Sequence, residues 1–516
     1  MSGPGSPIVR LALRLLAAGL AGYLLALAYE PVAFAYVIPV SLAVFGVVTR
    51  GVRMRTGFVL GLVFGTAFYA VHIRWMAPSI GSDAWAALSG IEAAFYGLLG
   101  AAAAVIHRLR AWPFWLACAW TAMETVRSTW PFSGMPWGRL GFAVVDTPWA
   151  PALAYVGVTG VSLLLAAIGF LAARVVVSPS RMDGRWAATG LIAVTALTAL
   201  PAMAPWSLGS SGEITVAAVQ GDVPGPGNDI LADYRGVTQN HVDATIELAA
   251  RVRAGDVAPP RFVLWPENST AVDPFNDYST GEQIEAAVSA IDVPLVVGAI
   301  VDAGEEHVLN QGIVWDPVTG AGDRYTKQNP VPYGEYIPFR KQLSGLFGRL
   351  DRIPRDMLSG TRRTPLDVAG VPVADAICFD IAYDAGLADQ IERGGELLAV
   401  QTSNASFIFT DQVEQQFAIT RARAIETGKY VVVASTNGVS GVIAPDGAVV
   451  ARTERRTQDV LVESVELRPG VTPGLRVGAA LALGTPLAAG LAVLLGLVVG
   501  WRARRLSRRS TAEEVS

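Results

Sequence analysis

Phe262-Val263-Leu264-Trp265-Pro266-Glu267-Asn268 is an apolar run stopped by a proline, with a carboxylate directly behind it. Proline has no N–H to give to a strand ladder, so the run reads as a short buried strand whose exit delivers Glu267. A comparable layout recurs twice downstream. Tyr325-Thr326-Lys327 leads into Gln328-Asn329-Pro330-Val331-Pro332-Tyr333-Gly334-Glu335, a stiff, irregular loop that can fix a lysine and a second carboxylate. Ala376-Ile377-Cys378-Phe379-Asp380 closes an apolar strand on a thiol and then turns polar, which suits a strand-to-loop elbow. Taken singly, these are a surface glutamate, a solvated lysine and a buried structural cysteine. The order Glu, Lys, Cys on three successive strand ends outweighs those ordinary readings.

Outward from these motifs, short apolar β-rich runs alternate with helical stretches from about Gly212 to Glu466. The strand-like runs are Ile214 to Val219, Phe262 to Trp265, Leu295 to Ile300, Ile313 to Trp315, Val373 to Ile377, Leu397 to Gln401, Tyr430 to Ser435 and Gly441 to Ile443. Ile230 to Ala254 and Gln412 to Thr427 have the helical period. Such alternation predicts an α/β domain whose sheets are covered by helices. The segments 206–212 and 469–474, rich in Gly, Ser and Pro, mark its boundaries.

The flanks are of a different character. At 52% hydrophobic and 16% charged, the chain is too apolar for an ordinary soluble protein. A membrane-crossing helix needs about 20 apolar residues, and seven segments before residue 205 approach that. They are Leu11 to Tyr29, Ala33 to Thr49, Gly57 to Met76, Trp85 to Ile106, Trp112 to Val126, Ala150 to Val177 and Trp186 to Pro205, with an eighth from Val477 to Trp501. The expected organisation is a membrane domain over 1–205, an α/β catalytic domain over 206–475, a last span over 476–501 and a basic tail over 502–516.

Arginines 10, 14, 50, 53, 55, 108, 110, 174, 181 and 185 flank alternate connections, and five more follow the eighth segment. Short arginine-rich loops stay in the cytoplasm, so both termini are expected inside and residues 206–475 outside. Ala26-Leu27-Ala28 offers a signal-peptide cleavage pattern, whose use would leave the remaining topology unchanged. Glu92, inside the fourth segment, reads as an inward-facing polar contact.

The net charge of −4 and the absence of a basic run with interleaved aromatics argue against nucleic-acid binding. The four histidines lack metal-ligand spacing, and no metal or cofactor is expected. The two cysteines, Cys118 in an apolar run and Cys378 in the polar half, do not form a disulfide framework.

Trp265-Pro266-Glu267-Asn268, Lys327 followed eight residues later by Glu335, and Ile377-Cys378-Phe379-Asp380 together resemble the nitrilase, or carbon-nitrogen hydrolase, superfamily. Flanking spans and the loop Phe132-Ser133-Gly134-Met135-Pro136-Trp137-Gly138 make the whole chain similar to its bacterial membrane branch, the apolipoprotein N-acyltransferase family. That resemblance implies a four-layer αββα sandwich standing on a bacterial plasma membrane, with Glu267 as general base, Lys327 as oxyanion stabiliser and Cys378 as nucleophile. It also implies a phospholipid acyl donor, a diacylglyceryl-cysteine apolipoprotein as acceptor, a thioester intermediate and a monomer. Glu335 matches a second glutamate of the family pattern, and Asn404 a strand-end position that shapes the substrate site. Family members often carry Tyr-Glu after the cysteine; Phe379-Asp380 departs from this, which puts in doubt any role of the hydroxyl but keeps a shorter carboxylate at Asp380.

Thiol chemistry agrees with these roles, because a free thiol ionises near pH 8.5 and needs a base to attack an ester, while an ammonium stabilises an oxyanion. Leu343 to Leu350, with Phe347, could act as an apolar lid at the membrane interface. Two other readings remain: a membrane-tethered amidase using the same residues with water as acceptor, and a transporter or binding scaffold with an inactive outer domain. The number of spans argues against the first and the intact triad against the second.

Overall fold

The computed structural model describes residues 6–178, 180–343 and 353–513. The chain forms two compact units, Met1–Pro205 with Arg476–Ser516, and Trp206–Leu475.

The first unit is helical. Its elements are α1 (Pro7–Ala26), α2 (Val37–Val48), α3 (Met54–His72), the single turn α4 (Met76–Ser79), α5 (Ser82–Ile106), α6 (Trp112–Arg127), α7 (Leu153–Val176) and α8 (Arg181–Ala199). Six helices among the described residues are long and apolar enough to cross a membrane, five before Pro205 and one at the C-terminal end. The eight expected spans therefore reduce to six long helices and two shorter ones. At 12 and 16 residues, α2 and α6 reach only about 18 and 24 Å against a hydrocarbon core of about 30 Å. Ser6 caps α1 by accepting from the N–H of Val9 at 3.3 Å, with proline in its first turn. α3 and α5 pack closely on small residues: a Cβ at Gly61 would lie 2.0 Å from the Tyr96 carbonyl oxygen.

Buried polar groups hold the loop 132–138 of this unit. An Arg127 Nη1 donates to the carbonyls of Met135 and Trp137, both at 2.8 Å, and lies 3.5 Å from Glu92 Oε2. Tyr69 and Tyr29 donate to the carbonyls of Trp137 and Gly138, each at 2.9 Å. Glu92 is thus the inward-facing contact expected of it.

In the second unit, one sheet has the order β13-β1-β2-β3-β4-β5, with β6 paired to β4. Its strands are β1 (Gly212–Gln220), β2 (Phe262–Leu264), β3 (Leu295–Asp302), β4 (His307–Asp316), β5 (Gly320–Thr326), β6 (Asp356–Met357) and β13 (Asp459–Leu467). The other sheet, β12-β11-β10-β9-β8-β7, comprises β7 (Leu366–Val368), β8 (Val371–Ile377), β9 (Leu397–Thr402), β10 (Val431–Ser435), β11 (Gly441–Ile443) and β12 (Val449–Arg452). β1, β2 and β3 are parallel, as are β8, β9 and β10; β6 adds to β4 in parallel, and the remaining pairings are antiparallel.

Helices α9 (Tyr234–Ala254) and α10 (Tyr278–Ile291) cover the first sheet, where Leu248, Ile284 and Val288 pack with Val263, Trp265 and Leu295. α9 starts on Asp233, which accepts from Gly236, and stops at Gly255, whose φ of 80° an L side chain rarely adopts. α11 (Arg340–Leu343) is a short turn, while α12 (Ala385–Glu392) and α13 (Gln412–Thr427) belong to the second sheet. Between the sheets, Gln401 Nε2 donates to the Trp265 carbonyl at 2.6 Å. The result is an αββα sandwich. Seven of the eight expected strand runs lie within or next to single strands of similar extent, and the eighth, Ile313 to Trp315, is the end of the longer β4. The helix expected from Ile230 begins at Tyr234, after a turn of 3₁₀ helix over Leu231–Asp233.

α14 (Pro473–Glu513) begins at the end of this unit and continues into the first one. It is a single helix running past Trp501, where the basic tail was expected to start.

Candidate active site

Parallel β2, β3 and β8 to β10 leave their C-terminal ends at one edge of each sheet, and β5, antiparallel to β4, returns to that direction. Functional side chains of α/β folds gather at such edges. Glu267 follows β2, Lys327 follows β5 and Cys378 follows β8. The three exits are not on successive strands, since β3 and β4 intervene before β5. Pairing across the sandwich brings them together: β2 and β5 belong to one sheet and β8 to the other.

Lys327 is the centre of the cluster. Its side chain is fully buried, and Nζ lies 3.0 Å from Glu267 Oε1 and 2.5 Å from Glu335 Oε1. Burial works against the ammonium, but the two carboxylates hold its pKa well above the ordinary lysine value. Glu267 Oε1 also accepts from Asn310 Nδ2 at 2.8 Å, and Oε2 accepts from the Ser403 N–H at 3.0 Å. Both oxygens are therefore oriented. Glu335, with 19% of its side chain exposed, is the member on the solvent side. Its second oxygen accepts from the Val331 N–H at 2.8 Å, and burial raises its pKa against the pull of Lys327.

Cys378 begins a 3₁₀ turn, Cys378–Ala382, with φ at 54°. A non-glycine residue in the left-handed region costs on the order of 1–2 kcal/mol and persists only where its surroundings impose it. Burial pushes the thiol up, Glu267 adds to that, and Lys327 with the Thr402 hydroxyl opposes it. The resting residue is thus a protonated thiol beside a fixed ammonium and an oriented carboxylate. Such a set can transfer a proton from sulfur and stabilise an oxyanion.

Asp380 and Asn404 are placed behind the cluster. Asp380 Oδ2 accepts from Tyr325 Oη at 2.9 Å and from the Gln328 N–H at 3.1 Å; Oδ1 accepts from the Asn329 N–H and Nδ2, both at 2.9 Å. Asn404, left-handed with φ at 57°, donates to Gln412 and Gln416 at 3.3 and 3.1 Å and accepts from Ser435 Oγ at 2.9 Å. Its amide supports the loop carrying Ser403. The proposed lid, Leu343 to Leu350, lies outside the described residues apart from Leu343.

Several supporting residues escaped the reading of the sequence. Asn310 is a buried amide within β4, Thr402 ends β9, and Arg423 lies in α13. Arg423 donates to the carbonyls of Ile381 and Ala382 at 2.8 Å, so that α13 clamps the turn after the cysteine. The available signal was a polar residue interrupting an apolar strand or helix face.

A family model described as the apolipoprotein N-acyltransferase N-terminal domain matches residues 21–171, and one described as carbon-nitrogen hydrolase matches residues 215–468. Apolipoprotein N-acyltransferase of Mycolicibacterium smegmatis is 36% identical, covering 96% of this chain and 87% of its own. The protein of that name from Chromobacterium violaceum is 26% identical over 97% of both. Among solved structures, an amidase of Nesterenkonia from the nitrilase superfamily aligns with a TM-score of 0.38 and 16% identity, over 51% of this chain and 93% of its own. Two family models matched in order, and a 36% identical relative along nearly the whole length, establish that the chain belongs to the apolipoprotein N-acyltransferase family and is an acyltransferase.

Proposed function

We propose that Cys378 takes a fatty acyl chain from a membrane phospholipid and passes it to the α-amino group of a diacylglyceryl-cysteine at the N-terminus of an apolipoprotein. The observation that carries this reading is the fully buried Lys327, held between Glu267 and Glu335 beside the Cys378 thiol. Sulfur attacks the ester carbonyl while Glu267 takes the thiol proton, and the oxyanion forms against Lys327. Collapse expels the lysophospholipid alkoxide, which recovers the proton from Glu267, and leaves a thioester. In the second half the free amine attacks the thioester, Glu267 takes a proton from nitrogen and returns it to sulfur, and an amide forms. Ester, thioester and amide follow one another without ATP.

Glu335 orients the lysine and the incoming amine, Asp380 fixes the lysine segment, and Asn404 shapes the loop that carries Ser403. The arginine-rich connections support cytoplasmic termini, an extracytoplasmic catalytic domain over 206–475 and a plasma-membrane location. The enzyme acts as a monomer.

The test is intact-mass measurement of the full chain in detergent with a phospholipid of defined acyl length, followed by a synthetic lipopeptide with a free amine. One acyl mass should appear on wild type, be absent from Cys378→Ala, and move to the lipopeptide. Acylation of the lipopeptide by Cys378→Ala would sink the proposal. Release of free acid at the same rate with and without the amine would favour water as the acceptor.

A further inference from the structure

The helical unit contains a cleft of about 760 Å³ lined by Arg14 of α1, Val47, Arg50, Gly51 and Val52 at the end of α2, Ala104, His107 and Arg108 at the end of α5, and Val177 after α7. Three arginines and a histidine converge there, and no aspartate or glutamate lines it. The guanidinium groups of Arg14 and Arg50 have no hydrogen-bond or ion-pair partner among the described residues. Arg108 is held against α14, donating to the Gly496 carbonyl at 3.2 Å. A Cβ at Gly500 would fall 2.1 Å from its Nη1, so glycine leaves room for this side chain. Asp183 lies close enough to Arg50 to feel its charge, but it does not line the cleft and Arg174 holds both its oxygens, at 2.6 and 3.0 Å.

Basic residues at helix C-termini complement the helix dipoles and keep loops in the cytoplasm. Neither effect requires three of them to face one concavity. Arg53 and Arg55 serve the same loop without lining it. Like charges gathered in a small cleft repel one another unless an anion sits between them. The size falls within the ordinary range for ligand sites, and arginine is suited to phosphate oxygens. Val47, Val52, Ala104 and Val177 give the cleft an apolar part beside the charged one.

We propose that this cleft binds a phosphate-bearing anion, with its phosphate on Arg14, Arg50 and Arg108 and the glycerol and upper acyl carbons of an anionic phospholipid along the valines. Basic pockets between membrane helices take anionic head groups in this way. The site belongs to the helical unit and shares no residue with the Cys378 cluster. Only the choice of the cytoplasmic leaflet depends on the orientation proposed above.

The test is native mass spectrometry of the full chain, titrated with phosphatidylglycerol, with phosphatidylethanolamine and with inorganic phosphate. The triple variant R14Q/R50Q/R108Q should retain phosphatidylglycerol on the order of a hundredfold more weakly than the control R53Q/R55Q, and R50Q alone about fivefold more weakly. R14K/R50K/R108K, which keeps the charge, should lose far less. Thermal unfolding of each variant in detergent shows that it has folded, and should a triple variant fail to fold, R50Q and R108Q singly carry the comparison. Displacement of the lipid by millimolar inorganic phosphate would assign the cleft to free phosphate and reject the lipid. Equal phosphatidylglycerol retention by the glutamine variants and the control would overturn the anion site altogether.

Discussion

Asp380 Oδ1 accepts from both nitrogens of Asn329, the backbone N–H and Nδ2, at 2.9 Å. The turn after Cys378 is thereby tied to the segment after Lys327, although 51 residues separate the partners. Cys378 and Lys327 come from different sheets, and this carboxylate sets the spacing between them.

Asp380→Ala removes the acceptor for four hydrogen bonds and leaves the Tyr325 hydroxyl and two backbone N–H groups facing an apolar gap. The expected cost is about 3 kcal/mol of stability, together with a large loss of acyl-enzyme formation. Asp380→Asn keeps one acceptor oxygen and should fall between the alanine variant and wild type. Tyr325→Phe removes one bond and should cost about 1 kcal/mol. Thermal unfolding with parallel intact-mass acylation measures both; acylation at the wild-type rate in Asp380→Ala would show that the spacing does not depend on this carboxylate.

Lys327 and its two carboxylates respond differently to removal. Lys327→Met leaves Glu267 and Glu335 facing each other in a buried site without a counter-charge, so stability should fall by about 3–5 kcal/mol along with activity. Glu267→Gln keeps the shape, and its amide oxygen can still accept from the ammonium. Its amide nitrogen must face the Ser403 N–H, so it should cost about 1–2 kcal/mol of stability, less than Lys327→Met, while lowering acylation of Cys378 by about 10²-fold or more, as expected for loss of a general base. The rate is the test: acylation at the wild-type rate in Glu267→Gln would argue against Glu267 as a proton acceptor.

The sequence was legible where a residue's role is decided by its own strand. Trp265-Pro266-Glu267 and Ile377-Cys378 announce strand exits, because proline and the switch from apolar to polar residues are local signals. Asp459–Leu467, by contrast, pairs with β1 through partners about 250 residues away, and nothing in a local reading supplies that partner. α10 carries its apolar positions Ile284, Ala287, Val288 and Ile291 at helical spacing, yet it is not one of the two helical stretches read from the sequence, since polar residues fill the rest of it and the loop before it. Asn310 and Arg423 were invisible for another reason: each serves a group brought to it by tertiary packing. α2 and α6, the two short helices, make the count of about eight spans approximate, because hydropathy measures composition whereas crossing a bilayer also requires length.

In the helical unit, Arg127 is fully buried with Glu92 beside it, and both line the support of loop 132–138. Arg127→Leu should be strongly destabilising, by about 3–5 kcal/mol, because it strands a buried carboxylate and two loop carbonyls. Arg127→Leu combined with Glu92→Gln should recover part of that loss, since the uncompensated charge is gone while the carbonyls remain unpaired. A double-variant cycle on thermal unfolding in detergent measures the coupling. Strict additivity would mean that the 3.5 Å ion pair contributes nothing.

Asp375 lies on β8 between the two sheets, is fully buried, and neither carboxylate oxygen has a hydrogen-bond partner. Burial, with a contribution from Asp380, pushes its pKa up from 3.8 to about 8. The folded chain therefore keeps a proton here that the unfolded chain releases near pH 4. This contribution to stability is fully present below about pH 4 and is lost as pH rises toward 8, a drift on the order of a few kcal/mol. Asp375→Asn is isosteric and does not titrate, so its unfolding temperature should change less between pH 6 and 9 than that of wild type. The two curves should separate further as pH increases, with the variant the more stable at the alkaline end. Parallel curves across that window would mean that Asp375 is already ionised in the fold and has found a counter-charge.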